Sequence, residues 1–278
     1  MKTLLTLSLI IFTHAALNAQ AIKTEVKGNG DPVLLLAGFA STSDVWEPLQ
    51  DQFADSHELH LIDYAGFGKL PAVEMPFLDK VRDELIHYVR KIDDENLVII
   101  GHSMGGTLAA WLAAQADLKI KQIIIIDGLP ATGALMFPNF DLATLTYESP
   151  YNDQMMAMDD SAFAKAISPM AAGMAKASEH QEIIKQDILN TDRKTYVYGY
   201  TDYLKFDVRE DLKQIDIPVT ILGAAGMFGE EMATNTYKTQ YENLKNYTFK
   251  MHPTSKHFIM YDDPVWLNAQ IAEALKTD

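Results

Sequence analysis

Four apolar residues, Leu97-Val98-Ile99-Ile100, run directly into Gly101-His102-Ser103-Met104-Gly105-Gly106, and an Ala/Leu-rich stretch follows to Ala116. A short, wholly apolar run reads as a strand buried on both faces, and the stretch after it reads as a helix. The chain therefore turns from strand to helix through Gly-x-Ser-x-Gly. The turn is so tight that positions 101 and 105 must carry no side chain. No other feature constrains the fold as much. It calls for a sheet that presents the serine at its carboxyl edge, with the positive end of a helix aimed at the same point.

The remaining apolar runs supply such a sheet. Val33 to Ala37, Glu58 to Ile62, Ile120 to Ile126, Pro218 to Leu222 and Tyr247 to Met251 read as further strands. Ile22 to Lys27 reads as an edge strand before the turn Gly28-Asn29-Gly30-Asp31-Pro32. Helical patterns lie between them. Leu78, Val81, Leu85, Val89 and Ile92 share one face, and Glu230 to Tyr241 and Val265 to Leu275 form two more helices. Short apolar strands alternating with helices predict an α/β fold with a mostly parallel central sheet flanked by helices. The alternation stops between Pro130 and Tyr203, a stretch that contains Met136, Met155, Met156, Met158, Met170 and Met174. Only Thr195 to Tyr200 is ambiguous between helix and strand there. Residues 130–203 are expected to form a helical lid inserted into a core made of 22–129 and 204–278. Flexible methionine suits a surface that must fit an apolar ligand.

Composition narrows the function. The 278 residues carry a net charge of −15, which repels phosphate backbones and argues against a nucleic-acid partner. The absence of cysteine excludes disulfides, thiolate metal sites and a cysteine nucleophile. Met1-Lys2, the apolar run Leu4 to Phe12, and the small residues Ala19 and Ala21 read as a secretory leader, residues 1–21. Cleavage is expected after Ala21, with Ala19 as the other position. Export to the periplasm or the outside follows, with no stable membrane span, because the apolar run is too short.

A serine nucleophile needs a base and an oxyanion site. Of the eight histidines, His14 lies in the leader and His57 and His60 flank a strand. His87 lies on a helix, His102 is within the elbow, and His180 is in the insertion. His252 and His257 follow the last strand. His257 is preferred, because it sits in the loop before Asp262-Asp263-Pro264 opens the final helix. The oxyanion donors are expected to be the N–H of Met104, next to the serine, and that of Phe39, in the loop Leu36-Ala37-Gly38-Phe39-Ala40.

Taken in order, these segments resemble the α/β-hydrolase superfamily, in its esterase and lipase-like branch with a helical cap. Ala37-Gly38-Phe39 looks like the His-Gly-x oxyanion loop, with Ala37 in place of histidine. Trp46 looks like the tryptophan common in the helix that follows. Asp63-Tyr64-Ala65-Gly66-Phe67-Gly68 looks like the Asp-x-x-Gly-x-Gly turn, and His257 to Pro264 looks like the family's His-to-Pro ending. One position departs from the pattern. Where the resemblance implies an acid after the late strand, this chain has Gly226. The likeness to relatives that carry the acid one strand earlier, a group of haloalkane dehalogenases among them, points to Asp127. Glu230 and Glu231 are rivals, and a chain with no triad acid is the third option. Serine in the elbow rules out the dehalogenase chemistry itself, which uses aspartate there.

The resemblance implies a serine hydrolase acting on small apolar carboxylic esters through an acyl-enzyme, with no metal or organic cofactor. A lactonase, a small-amide aminopeptidase and a C–C hydrolase are alternatives on the same fold. An inactive binding protein is the alternative outside catalysis. No oligomeric state follows from the sequence.

Overall fold

The protein is described here by a computed structural model covering residues 20–276, so residues 1–19 of the expected leader lie outside the described residues. Strands β1 (Ile22–Gly28), β2 (Asp31–Leu36), β3 (His57–Tyr64), β4 (Val98–His102), β5 (Gln122–Ile126), β6 (Val219–Ala224) and β7 (Thr248–His252) form one sheet. Their order is β1-β3-β2-β4-β5-β6-β7. Only β1 is antiparallel; it pairs with β3, and every other neighbouring pair is parallel. The central strands are apolar on both faces because helices cover both. Ile99, Ile100, Ile123, Ile124, Ile125 and Ile126 have no exposed surface. Each contributes about 2 kcal/mol of burial free energy.

The chain runs outward from β2 to β3 and then crosses back to β4 on the other side of β2. The carboxyl ends of β2 and β4 therefore flank the point where the winding reverses, and open parallel sheets place their crevice there. The loop carrying Phe39 leaves β2 at this edge, and the turn carrying Ser103 leaves β4.

Helices α1 (Glu47–Phe53), α2 (Phe77–Ile92) and α3 (Met104–Ala113) belong to the first half of the core. On α2 the buried residues Leu78, Val81, Leu85 and Val89 follow the three- and four-residue spacing of the sequence. Between β5 and β6 come α4 (Thr132–Met136), α5 (Pro150–Ala157), α6 (Asp160–Met174), α7 (Ser178–Leu189) and α8 (Arg193–Lys205). The second half of the core adds α9 (Glu230–Gln240), α10 (Ile259–Asp262) and α11 (Pro264–Ala274).

The ambiguous stretch Thr195 to Tyr200 is helical. Asp192 caps α8 by accepting from the Thr195 N–H, and the helix continues past Tyr203 to Lys205. Thr195, Val197, Gly199, Thr201 and Tyr203 are buried because α8 packs against α2, α4 and α5. Enclosure from several sides thus produces a strand-like alternation on a helix. The inserted helices are tied down at both ends. The Val208 N–H donates to the Pro130 carbonyl at 3.0 Å. Asp202 accepts from the Phe77 N–H at 2.8 Å and from the Tyr147 hydroxyl at 2.6 Å.

Ala21 belongs to the folded unit. It is buried, its N–H donates to Glu84 at 2.8 Å, and its carbonyl accepts from Ala65 at 2.9 Å. Cleavage after Ala21 would remove these contacts, whereas cleavage after Ala19 would keep them. Among the described residues no helix is long and apolar enough to cross a membrane.

Candidate active site

Ser103 sits between β4 and α3 with φ 54° and ψ −120°. This backbone is strained for a residue with a side chain, and its surroundings must hold it. The Ser103 N–H donates to the Ile126 carbonyl at 3.0 Å, and its own carbonyl accepts from Gly106 and Thr107. The elbow glycines are there for space. A Cβ at position 105 would lie 2.0 Å from the Leu36 carbonyl oxygen, and one at position 101 would lie 2.1 Å from that of Gly105.

His257 comes from the loop after β7. Its Nε2 lies 2.9 Å from Ser103 Oγ, and its Nδ1 lies 2.6 Å from Asp127 Oδ2. Three side chains from distant parts of the chain therefore form a continuous line of hydrogen bonds. Asp127 also has a positive φ, 43°, and its N–H donates to the Leu222 carbonyl at 2.8 Å. Its second oxygen, Oδ1, accepts from the Ala224 N–H at 2.9 Å and from the Tyr237 hydroxyl at 2.5 Å.

The other candidates lie elsewhere. His252 Nδ1 accepts from the Ser255 N–H at 2.8 Å, so its Nε2 is the nitrogen that donates to Asp263, at 3.1 Å. It braces the turn before His257 and does not approach the serine. Glu230 and Glu231 are exposed at the start of α9. They line a groove of about 870 Å³ with Leu135, Phe228 and Met232. Among the described residues neither makes a hydrogen bond to His257. Gly226 carries no acid for a steric reason. A Cβ there would lie 2.5 Å from the Thr254 carbonyl oxygen and 2.6 Å from that of Ser255. The turn that delivers His257 closes directly onto this backbone, with the Gly226 N–H donating to Ser255 at 2.8 Å.

Of the two expected oxyanion donors, Met104 follows the serine in the chain, and Phe39 follows Gly38, where a Cβ would lie 3.2 Å from the Ser103 Cβ. Met104 is the first residue of α3 and so has no carbonyl one turn back to bond. Among the described residues the Phe39 N–H makes no bond in the loop after β2. The Phe39 ring packs against Phe67 and Tyr200, each at 5.2 Å between centroids, and also against Tyr196 and Tyr203. This wall of aromatic rings beside the serine is contributed largely by α8.

Three residues at the site carry no recognisable signal in the sequence. Tyr203 is buried and places its hydroxyl 2.8 Å from Thr132 Oγ1 and within interaction range of Ser103. Burial pushes the phenol pKa up, so it stays protonated. His102 is wholly buried, and burial followed by the neighbouring His257 holds its pKa well below the usual range. The neutral ring donates from Nε2 to the His257 carbonyl at 3.0 Å and fixes the loop's backbone. Tyr237 reaches Asp127 from α9. A helix residue that reaches over β6 to the end of the neighbouring strand has no local pattern to reveal it.

Residues 31–264 match the profile of the family described as the alpha/beta hydrolase fold. The chain belongs to this family. Among curated α/β-hydrolases it is 21% identical over 205 residues to the pimeloyl-[acyl-carrier protein] methyl ester esterase of Vibrio cholerae, covering 72% of this chain and 77% of that protein. Among solved structures it superposes on an esterase from Exiguobacterium antarcticum with a TM-score of 0.74 at 16% identity, covering 93% of this chain and 98% of the other. The enol-lactonase from Burkholderia xenovorans superposes with a TM-score of 0.75 at 13% identity, covering 92% and 96%. At these identities the structural likeness concerns the α/β-hydrolase fold.

Proposed function

We propose that this α/β-hydrolase is a serine esterase that cleaves small apolar carboxylic esters through an acyl-enzyme. The observation that carries the reading is the unbroken line Asp127 Oδ2, His257 Nδ1, His257 Nε2, Ser103 Oγ, with separations of 2.6 and 2.9 Å. Ser103 Oγ attacks the ester carbonyl carbon while His257 Nε2 takes its proton. Asp127 accepts from Nδ1–H, which fixes the tautomer and stabilises the imidazolium that forms. The oxyanion is held by the Phe39 and Met104 N–H groups and by the positive end of α3. The tetrahedral adduct expels the alkoxide, which receives the proton from Nε2. A water molecule, deprotonated by the same nitrogen, then releases the acid and restores Ser103.

The inserted helices serve as the lid. They set the aromatic wall formed with Phe39 and bring Tyr203 over the nucleophile, which excludes bulk water from the acyl group. The esterase name of the Vibrio cholerae relative supports this reaction class. The leader-like stretch up to Ala19, the cleavage position that keeps the contacts of Ala21, supports export to the periplasm or beyond.

A series of p-nitrophenyl esters tests the reading. The close rings over Ser103 favour acetate to butanoate, with kcat/KM falling toward dodecanoate. Absence of turnover on every member of the series would contradict an esterase.

A further inference from the structure

We infer that Tyr237 is a positioning residue that holds Asp127 in the orientation His257 needs. The inference rests on reading Asp127 as the acid of the Ser103–His257 pair. Asp127 follows the last residue of β5 with a positive φ, and a carboxylate on such a turn can rotate about its own Cβ–Cγ bond unless both oxygens are engaged. Here they are. Oδ2 meets His257 Nδ1, and Oδ1 receives the Ala224 N–H at 2.9 Å and the Tyr237 O–H at 2.5 Å.

The fold makes room for this phenol. A Cβ at Gly223 would lie 2.7 Å from the Tyr237 ring, so the bare backbone of β6 is the floor over which the ring reaches β5. One turn further on, at the C-cap of α9, the Tyr241 hydroxyl donates to the Gly128 carbonyl at 2.9 Å. Adjacent turns of one helix thus hold the side chain of Asp127 and the backbone of the residue after it. Burial, and then the neighbouring carboxylate, raise the Tyr237 pKa far above its ordinary value, so the hydroxyl remains a donor throughout the working range. Without that donor, Oδ1 keeps only one hydrogen bond. The carboxylate then becomes a stronger but less fixed acceptor for Nδ1–H.

Tyr237→Phe keeps the ring and removes only the donor. The expected result is a fall in kcat of roughly 10- to 100-fold, with KM within about twofold. The far-downfield proton resonance of His257 Nδ1–H should also move. In an Asp127→Asn background, Y237F should cost no more than about twofold further, because the phenol acts through the carboxylate. An unmoved resonance with unchanged kcat would overturn the inference, as would a full additional loss in the Asp127→Asn background. If Y237F fails to fold, Tyr237→3-fluorotyrosine retains the hydroxyl as a stronger donor. It should still shift the resonance, and a resonance unchanged there also overturns the inference. If Asp127→Asn is itself harmless, the reading of the acid fails, and that outcome is distinct from failure of Tyr237 alone.

Discussion

Ser103→Ala should lower ester turnover by about 10⁴- to 10⁶-fold and leave the fold in place. The expected loss is large because in the proposed mechanism every covalent step passes through Oγ, and the proposed oxyanion donors alone would recover only part of the rate. The fold survives because the elbow is held by its backbone. Ser103 N–H to Ile126, and Gly106 and Thr107 N–H to the Ser103 carbonyl, do not involve the hydroxyl. Oγ itself meets the side chains of His257, through Nε2 at 2.9 Å, and of Tyr203, and neither contact holds the turn. Steady-state kinetics on p-nitrophenyl butanoate, together with thermal unfolding of the same sample, separates lost chemistry from lost structure. Near-normal turnover in this variant would show that Ser103 is not the nucleophile.

Asp127→Asn should lower kcat by about 10⁴-fold, and the surroundings of the carboxylate explain why an isosteric change is so damaging. Two donors, Ala224 N–H and Tyr237 O–H, point at Oδ1. An asparagine placed there turns its carbonyl oxygen toward them and its NH₂ toward His257 Nδ1. An NH₂ facing Nδ1 makes that nitrogen the acceptor and puts the ring proton on Nε2. The Nε2 lone pair that should take the serine proton is then gone. Glu230→Gln and Glu231→Gln change exposed side chains bordering the groove at α9 and should leave kcat within about twofold. The comparison of these three variants assigns the acid. A deep loss at either glutamate with little effect at Asp127 would reverse the assignment.

The sheet is legible in the sequence because its central strands are buried on both faces. Runs such as Ile123 to Ile126 have no polar position to confuse with another element. Helix α2 is legible through its spacing. Helix α1 is not, because a seven-residue helix burying only Leu49 and Phe53 gives too few positions for a period. Helix α8 is ambiguous because it is enclosed on several sides, so its burial does not follow one stripe.

At the site, the serine's surroundings are local and can be read from a ten-residue window. The contacts of His257 are not local, since its two partners lie 154 and 130 residues away in the chain. Chain order can nominate such residues, but only the packed loops bring their atoms within bonding distance. The bare Gly226 looks in sequence like a lost function. The structure shows the backbone of the Thr254–Ser255 turn filling the space that a side chain would need. Tyr237 and His102 act on residues that are remote in sequence: nothing near Tyr237 distinguishes it from a core aromatic, and the elbow around His102 does not reveal that its ring bonds the His257 backbone.

The most direct test of the account is the site of covalent modification by a fluorophosphonate, read by intact mass and peptide mapping. The wild-type chain should carry one phosphonyl group, on the peptide carrying Ser103, and Ser103→Ala should carry none. Labelling at another residue, or an unmodified wild-type chain that nonetheless hydrolyses esters, would contradict it.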